Sequence, residues 1–269
     1  MNHHFKRWLT GIVAIPLIFA LIHLGSEKLF SFFILGVILL AVWEYNRLVF
    51  GKEGCVAEKA EVSALASVIA LSAYIGNFHL IASVITFSIL ISFLLFLFRI
   101  KGQDFGILNL GKVVLGFMYI PLMMSYFILL RRLTEGALWI FFVFVIAFSG
   151  DILAYYTGRT IGRRKLQPFV SPGKTIAGTV ALLAGSIAGA VFFQRFFFPG
   201  ISPMHAFVLG AVGGMLGQLG DLFESAIKRT AGVKDSGFIL PGHGGVMDRI
   251  DCLSFMAPFV YYYQLFVIQ

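Results

Sequence analysis

Charge is scarce in this sequence of 269 residues: Asp, Glu, Lys and Arg supply 13% of it, where an ordinary soluble domain carries about 25%. That excludes a conventional water-soluble globule. Cysteine is nearly absent. Cys55 and Cys252 stand far apart, which excludes a disulfide framework or a cysteine-rich zinc site and leaves two inert thiols. No low-complexity stretch, repeat or polar linker divides the chain, so it reads as one continuous body. No G-x-x-x-x-G-K-[ST] loop is present, which excludes a Walker-type phosphate cradle. Acids are outnumbered 13 to 21 by Lys and Arg, and the pI is about 9.6. The basic residues lie between apolar runs rather than on one face, so no nucleic-acid partner is indicated.

What the sequence has in abundance is apolar surface. It is 59% hydrophobic with 30 phenylalanines and a mean hydropathy of +0.90. A membrane-crossing helix needs about 20 consecutive, mostly apolar residues. Such runs lie near Leu9–Gly25, Leu29–Val49, Val62–Gly76, His79–Phe98, Gly111–Leu130, Ala137–Tyr156, Ile176–Phe193, Met204–Ile227 and Ile250–Ile268. They predict an all-α, polytopic membrane bundle of about nine transmembrane helices. The first run follows Lys6 and Arg7 without a small-x-small cleavage site and reads as a retained anchor. Pro16 and Pro121 should kink their helices, which membrane bundles tolerate. With the N-terminus in the cytoplasm, 17 of the 21 basic residues fall on the cytoplasmic side, leaving Lys28, Arg131, Arg132 and Arg195 outside. Tyr261–Tyr263 read as an interfacial or lipid-facing belt.

The two halves differ in chemistry, and we divide the chain into a scaffold, 1–132, and a catalytic part, 133–269. The scaffold's apolar runs are nearly free of charge except for Glu44, in WEYNRL, which reads as a solvated carboxylate at a helix end. The later runs carry Asp151, then Asp221 and Glu224, then Asp251. Ionisable groups in apolar helices are costly and mark functional sites. Gln218, Asp221, Ser225 and Lys228 share one helical face, while Gly210, Gly213, Gly214, Gly217 and Gly220 allow other backbones to approach closely.

The densest polar stretch is Ser225–Asp251, SAIKRTAGVKDSGFILPGHGGVMDRID. Asp248 and Asp251 fall on one turn, and with Asp221 they would form an oxygen cage for Mg2+, a hard ion usually shared with phosphate. Capping of the helix start is the competing account of Asp248. His243, between Gly242 and Gly244, could be a metal ligand, a general acid or a phosphate donor; with no second His or Cys nearby, a phosphate or nucleotide contact is favoured. Upstream, Gly158–Ile176 is a basic loop in which Ser171-Pro-Gly-Lys174-Thr175 forms a rigid turn offering a cation to a polyphosphate. Anionic-lipid contact is its blander reading.

This stretch resembles the signature of the phosphatidate cytidylyltransferases (CDP-diacylglycerol synthases). Ser225, Lys228, Arg229, Lys234, Asp235, Gly237, Pro241, His243, Gly244, Gly245, Asp248, Arg249 and Asp251 match its fixed positions. Asp151, Ala154, Tyr155, Gly158, Gly162, Lys165, Leu166, Pro168, Ser171, Pro172, Lys174 and Thr175 resemble the upstream motif, and WEYNRL the front-half motif. Ala177 departs from the pattern, which usually has Glu there. The resemblance implies Mg2+-dependent formation of CDP-diacylglycerol and pyrophosphate from CTP and phosphatidate, with or without a second cation. It also implies a homodimer in the bacterial cytoplasmic membrane, with its site facing the cytoplasm. Under that reading Asp221, Asp248 and Asp251 hold metal. Lys228, Arg229, Lys234, His243, Arg249 and the Gly244–Gly245 backbone bind phosphates, joined by Ser225, Ser171 and Lys174; Lys228 counts with the catalytic acids. The rivals are a CTP-dependent lipid-alcohol kinase, which would need a base, and an ion-coupled transporter, which should show an inverted repeat.

Overall fold

A computed structural model describes residues 12, 15–51, 55–76, 78–100, 106–239 and 244–268. Its architecture is all-helical apart from one short hairpin. In chain order come α1 (residues 15–23), α2 (Glu27–Phe50), α3 (Val56–Ile75), α4 (Phe78–Arg99), α5 (Ile107–Phe117) and α6 (Met123–Arg131). Then follow α7 (Gly136–Thr160), strands β1 (Lys165–Gln167) and β2 (Ser171–Thr175), α8 (Ile176–Phe197), α9 (Pro203–Thr230) and α10 (Met247–Tyr263). Among the described residues, seven helical segments are long and apolar enough to cross a membrane, so the chain is an integral membrane protein. Helix α3 covers the expected third span, with Glu58, Lys59 and Glu61 in its first two turns. Lys6, Arg7, Lys52 and Lys101, used in the charge tally, lie outside the described residues.

Local sequence explains the helix boundaries. The Ser26 hydroxyl accepts the Leu29 N–H at 3.2 Å, and Glu27 follows in the first turn of α2. Ser202 accepts from His205 N at the start of α9, with Pro203 just inside it. Thr175 caps α8 through Gly178 N at 3.1 Å. The expected kink at Pro121 takes the form of a π-helical turn, Met118–Leu122, between α5 and α6. Proline has no N–H for the regular ladder, and the wider turn accommodates the break. The upstream basic loop departs from expectation: its ends pair as an antiparallel hairpin, Lys165 opposite Thr175 and Gln167 opposite Ser171.

The chain divides into two compact units, Met1–Leu129 with Asp235–Met247, and Leu130–Lys234 with Asp248–Gln269. The first is built on α2, α3 and α5. Tyr45 is fully buried there and donates to the Lys112 carbonyl at 2.8 Å. A side chain at Gly116 would strike Tyr45 and Val62, both at 2.8 Å. The second unit is built on α7, α8 and α9. Ser186 of α8 donates to the Ile146 carbonyl of α7 at 3.0 Å. A Cβ on Gly210 of α9 would lie 2.9 Å from Ile187 Cα, the Ser186 carbonyl and Ala190 Cβ. In the same unit, Tyr263 is tied to α9 by a 3.1 Å hydrogen bond between its hydroxyl and His205 Nδ1, so it does more than line a lipid-facing belt.

These contacts separate packing glycines from incidental ones. Gly210→Val meets backbone that cannot move aside and should destabilise by about 1–3 kcal/mol. Gly36→Ala in α2 meets nothing within 4 Å and should be neutral or stabilising by up to about 1 kcal/mol. Thermal unfolding of the two variants in one detergent checks the contrast.

Candidate active site

In the second unit, the hairpin and helices α7, α8 and α9 surround a cavity of about 760 Å3, lined by Asp151, Tyr155, Ser171, Lys174, Gln218 and Asp221 among others. Asp151 and Asp221 reach it from long apolar helices, and Ser171 and Lys174 from β2. Lys174 Nζ lies 2.6 Å from Asp221 Oδ2, and the Asp221 side chain is 36% exposed. The other Asp221 oxygen accepts from the Ser225 hydroxyl at 3.3 Å. Gln218 Nε2 donates to Thr179 Oγ1 at 2.7 Å, fixing one wall.

Helix α10 reaches this part of the unit because α9 lacks side chains where the two cross. A Cβ on Gly220 would collide with the Asp251 carbonyl, and one on Gly217 would stand 3.0 Å from Met256 Sδ. The crossing therefore brings Asp251, Asp221 and Asp151 into one electrostatic neighbourhood that also feels Lys174. Asp251 Oδ1 accepts from Cys252 N at 2.8 Å.

Asp248, one turn earlier, is engaged elsewhere. Lys228 Nζ donates to its Oδ1 at 2.6 Å and to Glu224 Oε2 at 2.7 Å. Glu224 is fully buried, and its Oε1 accepts no hydrogen bond. The structure thus sorts the expected carboxylates into two settings: Asp221 with Asp251, and Asp248 in a buried cluster with Lys228 and Glu224. Among the described residues, no three His, Cys, Asp or Glu side chains converge tightly enough to hold a metal by themselves. The donor set suits Mg2+ shared with phosphate, since that ion is generally held by one or two carboxylates plus phosphate oxygens and water.

The remaining expected contacts are scattered. Arg229 is exposed, and its guanidinium donates to the Val170 and Val233 carbonyls at 3.2 and 2.9 Å, clamping the hairpin turn to the end of α9. Lys234 and Arg249 are exposed. Ala177 lies in the first turn of α8, beside cavity-lining Thr175, Gly178 and Thr179. His243 lies outside the described residues.

Gly244 and Gly245 belong to the first unit, where the reading of Glu44 is corrected. Glu44 is fully buried, not solvated. Its Oε2 accepts from Ser236 Oγ at 3.1 Å and from Met247 N at 2.9 Å. Gly237 and Gly245 both lie against the carboxylate, leaving no room for a Cβ on either. Gly244 has φ +83°, a conformation that favours glycine. One carboxylate on α2 thereby shapes both arms of the Asp235–Met247 segment. The signal available in sequence was WEYNRL itself, an acid within an otherwise apolar helix. Asp151 was likewise visible as an intramembrane acid but had no role among the expected site residues.

Comparison with known proteins gives a consistent picture. The model of the cytidylyltransferase family matches residues 5–267. A phosphatidate cytidylyltransferase of Bacillus subtilis is 40% identical over 155 residues, 57% of this chain and 58% of that protein. One from Staphylococcus saprophyticus is 38% identical over 161 residues, 60% of this chain and 58% of its own. The match to each therefore spans less than two thirds of that relative. A phosphatidate cytidylyltransferase of Staphylococcus haemolyticus is 31% identical over 260 residues, 94% of this chain and 95% of that protein.

Two outcomes follow from the geometry. Glu44→Ala removes the acceptor of the Ser236 hydroxyl and the Met247 N–H, a loss of about 1–3 kcal/mol. Amide hydrogen exchange should accelerate across residues 235–239 and 244–247 and stay unchanged in α8. Lys228→Met leaves Glu224 and Asp248 uncompensated and should cost about 3–5 kcal/mol. Adding Glu224→Gln should restore part of that stability, measured by denaturation of the single and double variants.

Proposed function

The chain belongs to the cytidylyltransferase family, and from that membership we propose that it is a phosphatidate cytidylyltransferase, converting CTP and phosphatidate to CDP-diacylglycerol and pyrophosphate. The observation that carries the reading is the cavity beside Asp221, where Lys174, Ser171 and intramembrane acids face one open space.

The nucleophile would be a phosphate oxygen of the lipid, attacking the α-phosphorus of CTP and expelling pyrophosphate. A phosphomonoester with its second pKa near 6 is already mostly dianionic at pH 7, so the reaction requires no general base. The work left to the protein is positioning and charge neutralisation. In this proposal Lys174 meets the polyphosphate once it leaves Asp221. Asp221 and Asp251 would hold Mg2+, and Asp248 would join them when Lys228 turns from it to phosphate. Bound there, the ion would offset the negative charge of the phosphates. Arg229, Lys234, Arg249, His243 and the Gly244–Gly245 backbone are proposed phosphate contacts, and Ser225 orients Asp221. The scaffold and catalytic division at residue 132, a site facing the cytoplasm of a bacterial inner membrane, and a homodimer belong to the same proposal.

The deciding assay gives purified protein phosphatidate and CTP labelled at either the α- or the γ-phosphate. Label from the α position on the lipid is expected. Transfer of the γ label to diacylglycerol, supplied in a parallel reaction, would instead identify a lipid-alcohol kinase, and no transfer to either lipid would point to the transporter reading. Asp221→Asn and Asp251→Asn keep side-chain size while removing charge, and each should lower kcat by at least about a hundredfold. Wild-type turnover in either variant would remove that residue from the metal set.

A further inference from the structure

A smaller cavity, about 250 Å3, lies in the first unit at the adjoining ends of α3, α4 and α5, and the proposed reaction makes no use of it. Its polar lining comprises Glu58, Glu61, Ser92, Arg99 and Asn109. Arg99 donates to Glu61 Oε2 at 2.6 Å and lies 4.0 Å from Glu58 Oε1. Among the described lining residues, two carboxylates face one guanidinium. Two atoms of the buried lining make no hydrogen bond: Glu61 Oε1 and Ser92 Oγ, in residues 7% and 1% exposed. An unpaired carboxylate oxygen and an unpaired hydroxyl in one buried wall are costly, and an occupant that donates hydrogen bonds and carries positive charge removes both costs.

Size and position narrow the occupant. A water molecule occupies about 30 Å3 in the liquid, so a bare ion would leave most of the cavity unfilled. Among the described residues, no three metal-ligating side chains gather, which disfavours a divalent metal. An ammonium group carries one charge and three N–H donors, a match to Glu61 Oε1, Ser92 Oγ and the Glu58 carboxylate. The cavity also sits where the spanning segment His79–Arg99 ends, the level at which a helix leaves the hydrocarbon for the headgroup layer. We propose that this cavity binds a primary-ammonium group, supplied by an aminophospholipid headgroup or by a free amine.

The test uses the purified full chain in a neutral detergent and reads the thermal midpoint against ethanolamine, and separately against phosphatidylethanolamine in mixed micelles with phosphatidylglycerol held constant. A saturable upward shift is expected. Saturation by the lipid alone identifies the headgroup as the source, and saturation by both extends the site to free amines. Tetramethylammonium, which has no N–H, should give no shift. Glu61→Gln should weaken the apparent affinity at least about tenfold, the loss of a charge-assisted contact. Because Glu61→Gln also disturbs the Arg99 pair, Ser92→Ala serves as a second variant that removes only one hydroxyl; it too should weaken binding, by a few-fold. No saturable shift with either ligand, or wild-type affinity in both variants, would overturn the proposal.

Discussion

A charge inside an apolar bundle must be compensated where it stands, and helix α9 carries three of them within eight residues: Asp221, Glu224 and Lys228. Lys174 reaches Asp221 from β2, while Lys228 is held between Glu224 and Asp248. Each arrangement depends on a partner from another element being close, and closeness is supplied by glycine. Gly210 and Gly214 let α8 approach one side of α9, and Gly217 and Gly220 let α10 approach another. Without those glycines the acids would remain in the helix and lose the neighbours that make them tolerable.

The same arrangement explains why the candidate site can be both rigid and reactive. Its acids stand on long helices whose register is locked by backbone contact. Lys174, the cation that reaches Asp221, comes from a hairpin anchored through Arg229 to the end of α9. A carboxylate held by a lysine tip and one hydroxyl is readily re-partnered by phosphate or a metal ion, because the lysine can swing aside. Asp221, half open to the cavity, fits that role better than Glu224, which is wholly enclosed. A reaction that needs charge neutralisation and alignment, with no proton to remove, is the kind this set of side chains supports.

In the first unit one acid performs a comparable task. Glu44 holds the Ser236 hydroxyl and the Met247 amide through a single oxygen, and Gly237 and Gly245 close over it. Three glycines around a histidine look in sequence like a phosphate loop alone. Two of the segment's glycines, Gly237 and Gly245, also serve to make space for a buried carboxylate. The Glu58–Glu61–Arg99 cavity shows the opposite condition, a buried polar wall with acceptors left over.

The sequence by itself determined the class of molecule and the chemical vocabulary of its site. Apolar runs of span length are a statement about transfer from water to lipid, which depends on composition and little on neighbours, so the helices were legible; the acids of the later helices were legible because charge there is expensive. Pairing was not legible. Asp221, Asp248 and Asp251 read as one ligand set, with helix capping the competing account of Asp248, yet Asp248 stands with Lys228 and Glu224 while Asp251 lies near Asp221, because the crossing at Gly220 sets which face of α10 meets α9. The hairpin at Lys165–Thr175 depends on strand pairing across a turn, and the burial of Glu44 depends on a segment nearly 200 residues away in the chain. These are decided by which surfaces come into contact, and only the tertiary structure holds that information.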